Sequence, residues 1–269
     1  MKEKGLERVV ALLLVFVLCP SAHASEPTKA ELTVLTWNIL HGADADGGLN
    51  LEAKGEYIRG QAADLVFLQE LDENCERSGR VDQMEVLGGI TGTDAAFGSF
   101  MPYQGGRYGL GTLSALPVLA TRSFRLPEGD EPRVALFREV EVLGRPLLTV
   151  NLHFNWTEDD TSRYAQARAL LAELESLALP MIVAGDFNDV PGSRTIEAFL
   201  EAEFVPVEKP GPSWNALEPS VDIDHIFVRS GQGLDLEPLG GEVLDERTLS
   251  DHRPVRGRIR VMASERRDD

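Results

Sequence analysis

Five apolar segments of strand length recur along the chain, and each is apolar at consecutive positions. They cover residues 32–37, 65–68, 147–152, 181–184 and 223–228. A strand that faces solvent on one side alternates apolar and polar residues, whereas a strand covered on both sides is apolar throughout. The pattern therefore predicts buried strands with packing partners on both faces.

Helical patterns lie between these segments. Residues 162–178 give the clearest one, because apolar residues recur at helical spacing along one stripe while charged residues such as Arg163 and Arg168 lie largely off it. Weaker helices are predicted at 51–63 and 195–202, and residues 97–152 read as successive strands with Gly/Pro turns. Helices and buried strands intermixed in this way predict a layered α/β protein that forms one domain over residues 25–263.

The amino terminus has the pattern of a targeting segment. A weakly basic start precedes the apolar run 9–18, and the small-residue pattern Ala-His-Ala ends at Ala24. We predict that residues 1–24 are a cleavable signal peptide, because the run is shorter than the roughly 20 apolar residues of a membrane-spanning helix. An uncleaved membrane anchor is the alternative, and a lipid-modified Cys19 is disfavoured by the bulky Leu18. The sequence predicts a secreted or periplasmic protein, and residues 264–269 are predicted to be a charged tail.

The composition disfavours one class of binding partner and excludes one source of stability. The 269 residues carry 26 Lys and Arg against 44 Asp and Glu, so the net charge is −18. Nonspecific binding of duplex DNA relies on Lys and Arg that neutralise phosphates, and so acidic a chain is poorly suited to it. Removal of the signal peptide leaves Cys75 as the one cysteine, which excludes an internal disulfide. We interpret Cys75 as a residue without a catalytic role.

Acids, amides and histidines stand where the apolar segments are interrupted. Strand ends in α/β folds converge on one rim, and several carboxylates buried there together would repel one another. A divalent cation removes that cost, and oxygen ligands favour Mg²⁺ or Mn²⁺ over zinc. For each acid taken alone, the alternative interpretation is that it caps a helix or stands in a turn. The interruptions are Asn38, Gln69-Glu70, Asn151 with His153, the run 185–188, Asp222 and Asp224 beside His225, and the run 250–252.

The ordered motifs TWN, QE, NLH, GDFND, IDH and SDH resemble the endonuclease/exonuclease/phosphatase superfamily of DNase I-like metal phosphoesterases. The resemblance spans about residues 32–261. The stretches WNILHG, RSGRVDQ and MPYQGGRYGLGTLSALPV resemble an exported bacterial branch of it, which is similar to the hydrolase domain of glycosylphosphatidylinositol-linked proteins and, more distantly, to sphingomyelinases. The resemblance implies a four-layer α/β sandwich, with two mixed β-sheets face to face and helices outside.

The resemblance also implies a role for each matched residue. Glu70 is expected to bind the metal, Mg²⁺ or Mn²⁺, with Asn38 beside it and Asp251 completing the shell. The expected catalytic residues have distinct tasks. Asp186 would orient or deprotonate the attacking water, Asn188 would hold a phosphate oxygen, His252 would contact the scissile phosphate, Asp224 would fix the tautomer of His252, and His153 would stabilise charge on the leaving oxygen or protonate it.

Three further residues are candidates for substrate binding. His41 follows Asn38 closely and is expected near the rim of the site, although a turn histidine is an equal alternative. Arg107 and Tyr108 suit contacts with phosphate and rings. The chain departs from the family at Leu110, where an asparagine is common, and this puts substrate orientation in doubt. His225 matches no family role and is interpreted as a packing or rim residue.

The predicted function is metal-dependent hydrolysis of a phosphodiester by attack of water. The acidic charge favours a phospholipid head group or another small phosphodiester as substrate, and a secreted nonspecific nuclease is the alternative. A catalytically inactive binding module of the same fold is a third hypothesis, which the retention of every matched group disfavours. No obligate protein partner is inferred, and a monomer is expected.

Overall fold

The computed structural model describes residues 28–264, which form twelve strands and four α-helices. The helices are α1 (Leu51–Gln61), α2 (Gln83–Thr91), α3 (Thr161–Glu175) and α4 (Arg194–Glu201). The strands are β1 (Lys29–Asn38), β2 (Leu65–Glu73), β3 (Asp94–Tyr103), β4 (Gly106–Ser114), β5 (Val118–Arg125), β6 (Val134–Val142), β7 (Arg145–His153), β8 (Met181–Asp186), β9 (Val205–Pro206), β10 (Asp224–Arg229), β11 (Leu234–Val243) and β12 (Val255–Ala263).

The strands form two mixed six-stranded sheets. The first sheet has the order β11-β12-β1-β2-β4-β3, and the second has the order β5-β6-β7-β8-β10-β9. Each sheet contains one parallel pair near its centre, β1 with β2 and β7 with β8, among antiparallel neighbours. The carboxyl ends of each parallel pair therefore lie side by side.

Apolar clusters separate the layers. One of the two clusters between the sheets includes Val34 and Phe67 from the first sheet and Ile182 from the second. Leu170 of α3 belongs to the cluster outside the second sheet, and Leu87 of α2 to the cluster outside the first. The order is thus helices, sheet, sheet, helices, and the predicted four-layer sandwich is confirmed.

The predicted helices are present, with shifted ends and one helix that the sequence analysis did not predict. Helix α3 ends at Glu175, three residues before the predicted end at 178. Helix α2 was missed because Gly88 and Gly89 interrupt a nine-residue element. Gly88 is required there, since a Cβ atom would lie 2.9 Å from the Cβ atom of Ala95. Strand β11 was also missed, because its two glycines and proline lower strand propensity.

The predicted signal peptide at 1–24 lies outside the described residues, as do residues 265–269 of the predicted tail. Ser264, the first tail residue, donates its backbone N–H to the carbonyl of Gly233 over 2.9 Å. No helix within residues 28–264 is long and apolar enough to cross a membrane.

Candidate active site

The second sheet places three of the predicted residues in one row. In the parallel pair β7/β8, His153 is the register partner of Asp186, and in the antiparallel pair β8/β10, Asp224 is the partner of the same Asp186. Asp224 begins its strand rather than ending one, but β10 runs against β8, so its first residue meets the last residue of β8. The three side chains are almost fully buried.

The first sheet contributes Asn38 and Glu70 from its own parallel pair. The register of β2 against β4 shifts between Gln69 and Leu71, so Glu70 is the extra residue of a β-bulge and has φ 56°. Bulges of this kind redirect a side chain and are common beside active sites. The Asn38 Nδ2 atom donates to Glu70 Oε1 over 3.0 Å and to Asp186 Oδ2 over 3.1 Å. One amide therefore joins the carboxylates of the two sheets.

The segment before β12 adds Asp251 and His252. The Ser250 hydroxyl donates to the Asn38 carbonyl over 2.7 Å, and the Trp37 indole donates to the His252 carbonyl over 2.9 Å. These bonds fix the segment against the end of β1. His252 Nε2 lies 3.8 Å from Asp186 Oδ2, so the last motif of the sequence reaches the row on the second sheet.

The loop after β8 is held by a second set of contacts. The Asp186 carboxylate accepts from the Asn188 backbone N–H over 2.9 Å, and the Asn188 side-chain amide donates to the Phe154 carbonyl over 3.0 Å. Gly185 permits this arrangement, because a Cβ atom would lie 2.0 Å from the Leu152 carbonyl oxygen. Arg163 was expected largely off the buried stripe of α3, but it is buried and its Nε donates to Asp189 over 2.9 Å.

Asp224 controls the protonation of His252. Its Oδ2 lies 2.9 Å from His252 Nδ1, so the ring presents Nε2 to the site. Burial opposes protonation of His252, but the Asp224 charge and hydrogen bond outweigh it and raise the pKa of His252 to about 10. Burial and the Asp224 charge together raise the pKa of Asp186 to about 7. The row therefore combines a cationic ring with a carboxylate that can accept a proton near neutral pH.

The pKa values of His153 and Glu70 are shifted so that His153 stays neutral and Glu70 stays ionised. Burial and the nearby charge of Arg133 lower the pKa of His153 well below its ordinary value. Burial opposes ionisation of Glu70, but the His41 ring and the Asn38 amide outweigh it and lower its pKa to about 2. Neutral His153 can donate one ring N–H, with Nε2 3.5 Å from Asp186 Oδ2.

The residues fit a hard divalent cation. Asp186, Asp224 and His252 each bring one possible ligand atom within 4.8 Å of the others, which makes an acidic cluster able to hold a metal. Asp224 Oδ2 is already bonded to the His252 ring, whereas Glu70 and Asp186 both border the cavity and meet at the Asn38 amide. Carboxylate and amide oxygens are typical ligands of Mg²⁺ and Mn²⁺. We therefore favour the Glu70 side of the cluster for the cation.

A cavity of about 590 Å³ opens above these residues. His41 and Tyr108 line it as expected, together with Asn38, Glu70, His153, Asp186, Asn188, Asp251 and His252. Asp224 lies behind His252 and does not line it. Arg107 is not in the lining either: it is exposed and forms an ion pair with Glu73. The structure thus gathers the predicted residues at one end of the sandwich, with Arg107 left outside.

The model of the Endonuclease/Exonuclease/phosphatase family matches residues 35–252, the interval from β1 to the last site residue. The chain belongs to this family. A UPF0294 protein of Vibrio cholerae is 30% identical over 239 residues, which cover 86% of this chain and 79% of that protein. Members of the Endonuclease/Exonuclease/phosphatase family are hydrolases that act on phosphoesters.

Solved structures of proteins with different activities share the fold. A family member from Beutenbergia cavernae superposes with a TM-score of 0.72 at 22% identity, covering 86% of this chain and 72% of that one. The mannosyl-6-phosphatase Bt3783 of Bacteroides thetaiotaomicron gives 0.70 at 19% identity, covering 85% and 99%. Sphingomyelinase C of Streptomyces griseocarneus gives 0.65 at 18% identity, covering 87% and 100%. These likenesses establish the fold alone.

Several lining residues were not identified from the sequence. Arg77, Tyr103, Glu131, Arg133, Trp156 and Trp214 also border the cavity. Arg77 lies in the stretch RSGRVDQ that carried part of the family resemblance, so this motif was an available signal. Nothing local distinguishes Arg133 or the two tryptophans from surface residues. Trp156 is 62% exposed and Trp214 is 37% exposed, so aromatic surface lies at the mouth of the cavity.

Three residues to which the sequence analysis gave no catalytic role are also buried away from the candidate active site. Leu110 is fully buried in an apolar cluster and does not line the cavity. His225 packs against Phe187, and its Nε2 lies 2.9 Å from the Asp189 carbonyl. Burial raises the pKa of the Cys75 thiol to about 11, which disfavours the reactive thiolate.

Proposed function

We propose that the protein is an exported, Mg²⁺- or Mn²⁺-dependent phosphoesterase that hydrolyses a small phosphodiester, such as a phospholipid head group, by attack of water. The observation that carries the proposal is the meeting of Glu70 from one sheet with Asp186 from the other at the Asn38 amide, beside His252. The family membership supports the reaction class. A net charge of −18 favours a small substrate over duplex DNA.

The side chains have complementary tasks in this reaction. Asp186 accepts the proton of the attacking water, and its raised pKa suits a general base near neutral pH. Protonated His252 donates from Nε2 to a phosphate oxygen, while Asp224 holds Nδ1. His153 donates a hydrogen bond toward the leaving oxygen. A bound cation, held by Glu70 with Asn38 and Asp251, would supply Lewis acidity and neutralise charge on the phosphoryl group.

Turnover of a chromogenic phosphodiester by purified mature protein tests the reaction. We expect hydrolysis with Mg²⁺ or Mn²⁺, none with EDTA, and loss of at least ~100-fold in kcat for Asp186→Ala and for His252→Ala. Arg168→Ala, an exposed change on α3, is the control and should keep full activity. Full activity of either site variant, or activity unaffected by EDTA, would contradict the proposal.

A side-by-side digestion tests the substrate class. Plasmid DNA, a choline phospholipid and a phosphate monoester are incubated with equal amounts of enzyme and metal. We expect the phospholipid to be hydrolysed at enzyme concentrations that leave the plasmid intact. Nicking of the plasmid at lower concentrations would favour the nuclease alternative, and preferential hydrolysis of the monoester would favour a phosphatase.

The proposed export is tested by the location and the intact mass of the expressed protein. We expect the protein recovered outside the cytoplasm of an expressing bacterium to begin at Ser25, as determined by intact mass. Recovery of the uncleaved chain from the membrane fraction would instead support the signal-anchor alternative.

A further inference from the structure

Arg133 is a buried cation with unused hydrogen-bonding capacity at the wall of the cavity. Its side chain is 2% exposed, and its Nη2 lies 3.1 Å from Glu131 Oε2. Its Nε and Nη1 atoms have no hydrogen-bond partner among the described residues. Of the five N–H groups of the guanidinium, three are therefore unpaired. Burying a charge in this state is costly unless something binds to it.

The other buried arginines of residues 28–264 show that this state is unusual within the chain. Arg138 contacts Asp94 and donates to the Thr112 carbonyl over 3.1 Å. Arg163 donates to Asp189 and to two backbone carbonyls. Neither of them lines the cavity. Arg133 is thus the buried arginine that combines unpaired donors with access to the cavity.

Aromatic rings fix Arg133 beside the reaction centre. Its Cζ lies 4.9 Å from the centre of the Phe100 ring, and this ring packs edge-on against both Tyr108 and His153 at centroid distances of 5.5 and 6.2 Å. Phe100 therefore contacts both the guanidinium and the His153 ring, and the ion pair of Arg133 is with Glu131 rather than with a carboxylate of the acidic row. This placement, in the cavity wall but outside the acidic row, suits a group of the substrate other than the reacting phosphate.

We propose that Arg133 binds a second phosphate group of the substrate, so that the preferred substrate is a phosphoester carrying an additional phosphate beyond the scissile one. The three unpaired N–H groups match the acceptor oxygens of a phosphate monoester, which carries close to two negative charges at neutral pH. Arg77 adds positive charge to the same wall, where its Cζ lies 5.0 Å from the Tyr108 ring, although Asp72 pairs with it at 2.8 Å.

The inference rests on the proposed phosphoester hydrolysis and narrows its substrate. Two chromogenic esters test it: the 4-nitrophenyl ester of thymidine 5′-phosphate, and the same compound with a 3′-phosphate. We expect the wild-type protein with Mg²⁺ to have a KM at least ~10-fold lower for the bisphosphate. Arg133→Gln should reduce this ratio of KM values at least ~10-fold, and Arg133→Lys should give an intermediate ratio because charge is kept but fork geometry is lost.

The controls separate this inference from the general function. Arg125→Gln removes the same charge from an exposed residue paired with Val134 at the start of β6, and it should keep the wild-type ratio. Thermal unfolding of each variant checks that the fold is retained. Hydrolysis of both esters with equal KM by the wild-type protein, or an unchanged ratio in Arg133→Gln, would overturn the inference and leave the proposed function standing. Absence of hydrolysis of either ester by the wild-type protein at any metal concentration would count against both.

Discussion

Removal of the Arg163 side chain should destabilise the fold far more than removal of an exposed arginine on the same helix. Arg163 and Asp189 form an ion pair whose side chains are 8% and 9% exposed, with an Nε to Oδ2 distance of 2.9 Å. The same guanidinium donates to the carbonyls of Asn155 and Thr157 over 3.1 and 3.0 Å. In Arg163→Ala, the Asp189 charge stays buried without its partner and both carbonyls lose a donor.

The expected cost follows from these contacts. Breaking a buried, hydrogen-bonded ion pair by removing one partner costs about 3 to 5 kcal/mol. For a domain of this size, each kcal/mol lowers the midpoint of thermal unfolding by roughly 2 to 4 °C, so we expect a decrease of roughly 10 °C. Asp189 lies in the loop after β8, directly after Asn188 and close to Asp186 at the end of that strand, so kcat should fall as well.

Urea unfolding followed by tryptophan fluorescence measures the change in free energy. Arg168→Ala is the matched control, because this arginine is exposed on the same helix and should change stability by less than about 0.5 kcal/mol. In Asp189→Asn combined with Arg163→Met, the uncompensated charge is absent, and part of the stability should return. An Arg163→Ala variant as stable as Arg168→Ala would refute the reasoning.

Two other predictions concern buried polar groups. Asn151→Leu should lower the free energy of unfolding by about 3 kcal/mol, because Asn151 accepts from Gln69 and donates to the Leu68 and Gly111 carbonyls between the sheets; an unchanged urea midpoint would argue against this bridge. Burial is the largest cause that lowers the pKa of Lys54 from 10.5 to about 8. The unfolded chain then binds more protons between these values, so the stability of the wild type relative to Lys54→Met should rise from pH 8 to 10.5, by up to about 3 kcal/mol. A pH-independent difference would contradict the assigned shift.

A layered α/β fold was predictable from local pattern, whereas the arrangement in four layers was implied by the family resemblance. Continuous apolar runs such as 181–184 specify strands buried on both faces, and the motifs at their ends specify where acids and histidines gather. The sequence analysis placed these residues at strand ends that share one rim, and the register of β7, β8 and β10 sets His153, Asp186 and Asp224 in one row.

The remaining features depend on contacts between distant residues. The bulge that turns Glu70 toward Asn38 arises from the pairing of β2 with β4, and no local sequence pattern predicts that pairing. Arg163 precedes Leu170 and Leu174 by helical spacings, so it shares their buried face of α3, but its ion pair with Asp189 in the loop after β8 is shown only by the folded chain. Arg133 resembles any charged residue before a strand, and only the folded chain shows that its donors lack partners.

The meeting of the two sheets at a cation site is tested most directly by Mn²⁺ binding, measured calorimetrically without substrate. We expect Glu70→Gln on the first sheet to weaken Mn²⁺ affinity at least ~10-fold, because Glu70 would hold the cation. Asp186→Asn on the second sheet should weaken it by a similar factor, because Asp186 bonds to the same Asn38 amide and its charge lies beside the cation. Glu73→Gln is the control, because Glu73 lies on the same strand as Glu70 but pairs with Arg107 outside the cavity, and its affinity should match that of the wild type. Mn²⁺ affinity that is unchanged in both Glu70→Gln and Asp186→Asn, with both variants folded, would contradict a shared site at this end of the sandwich.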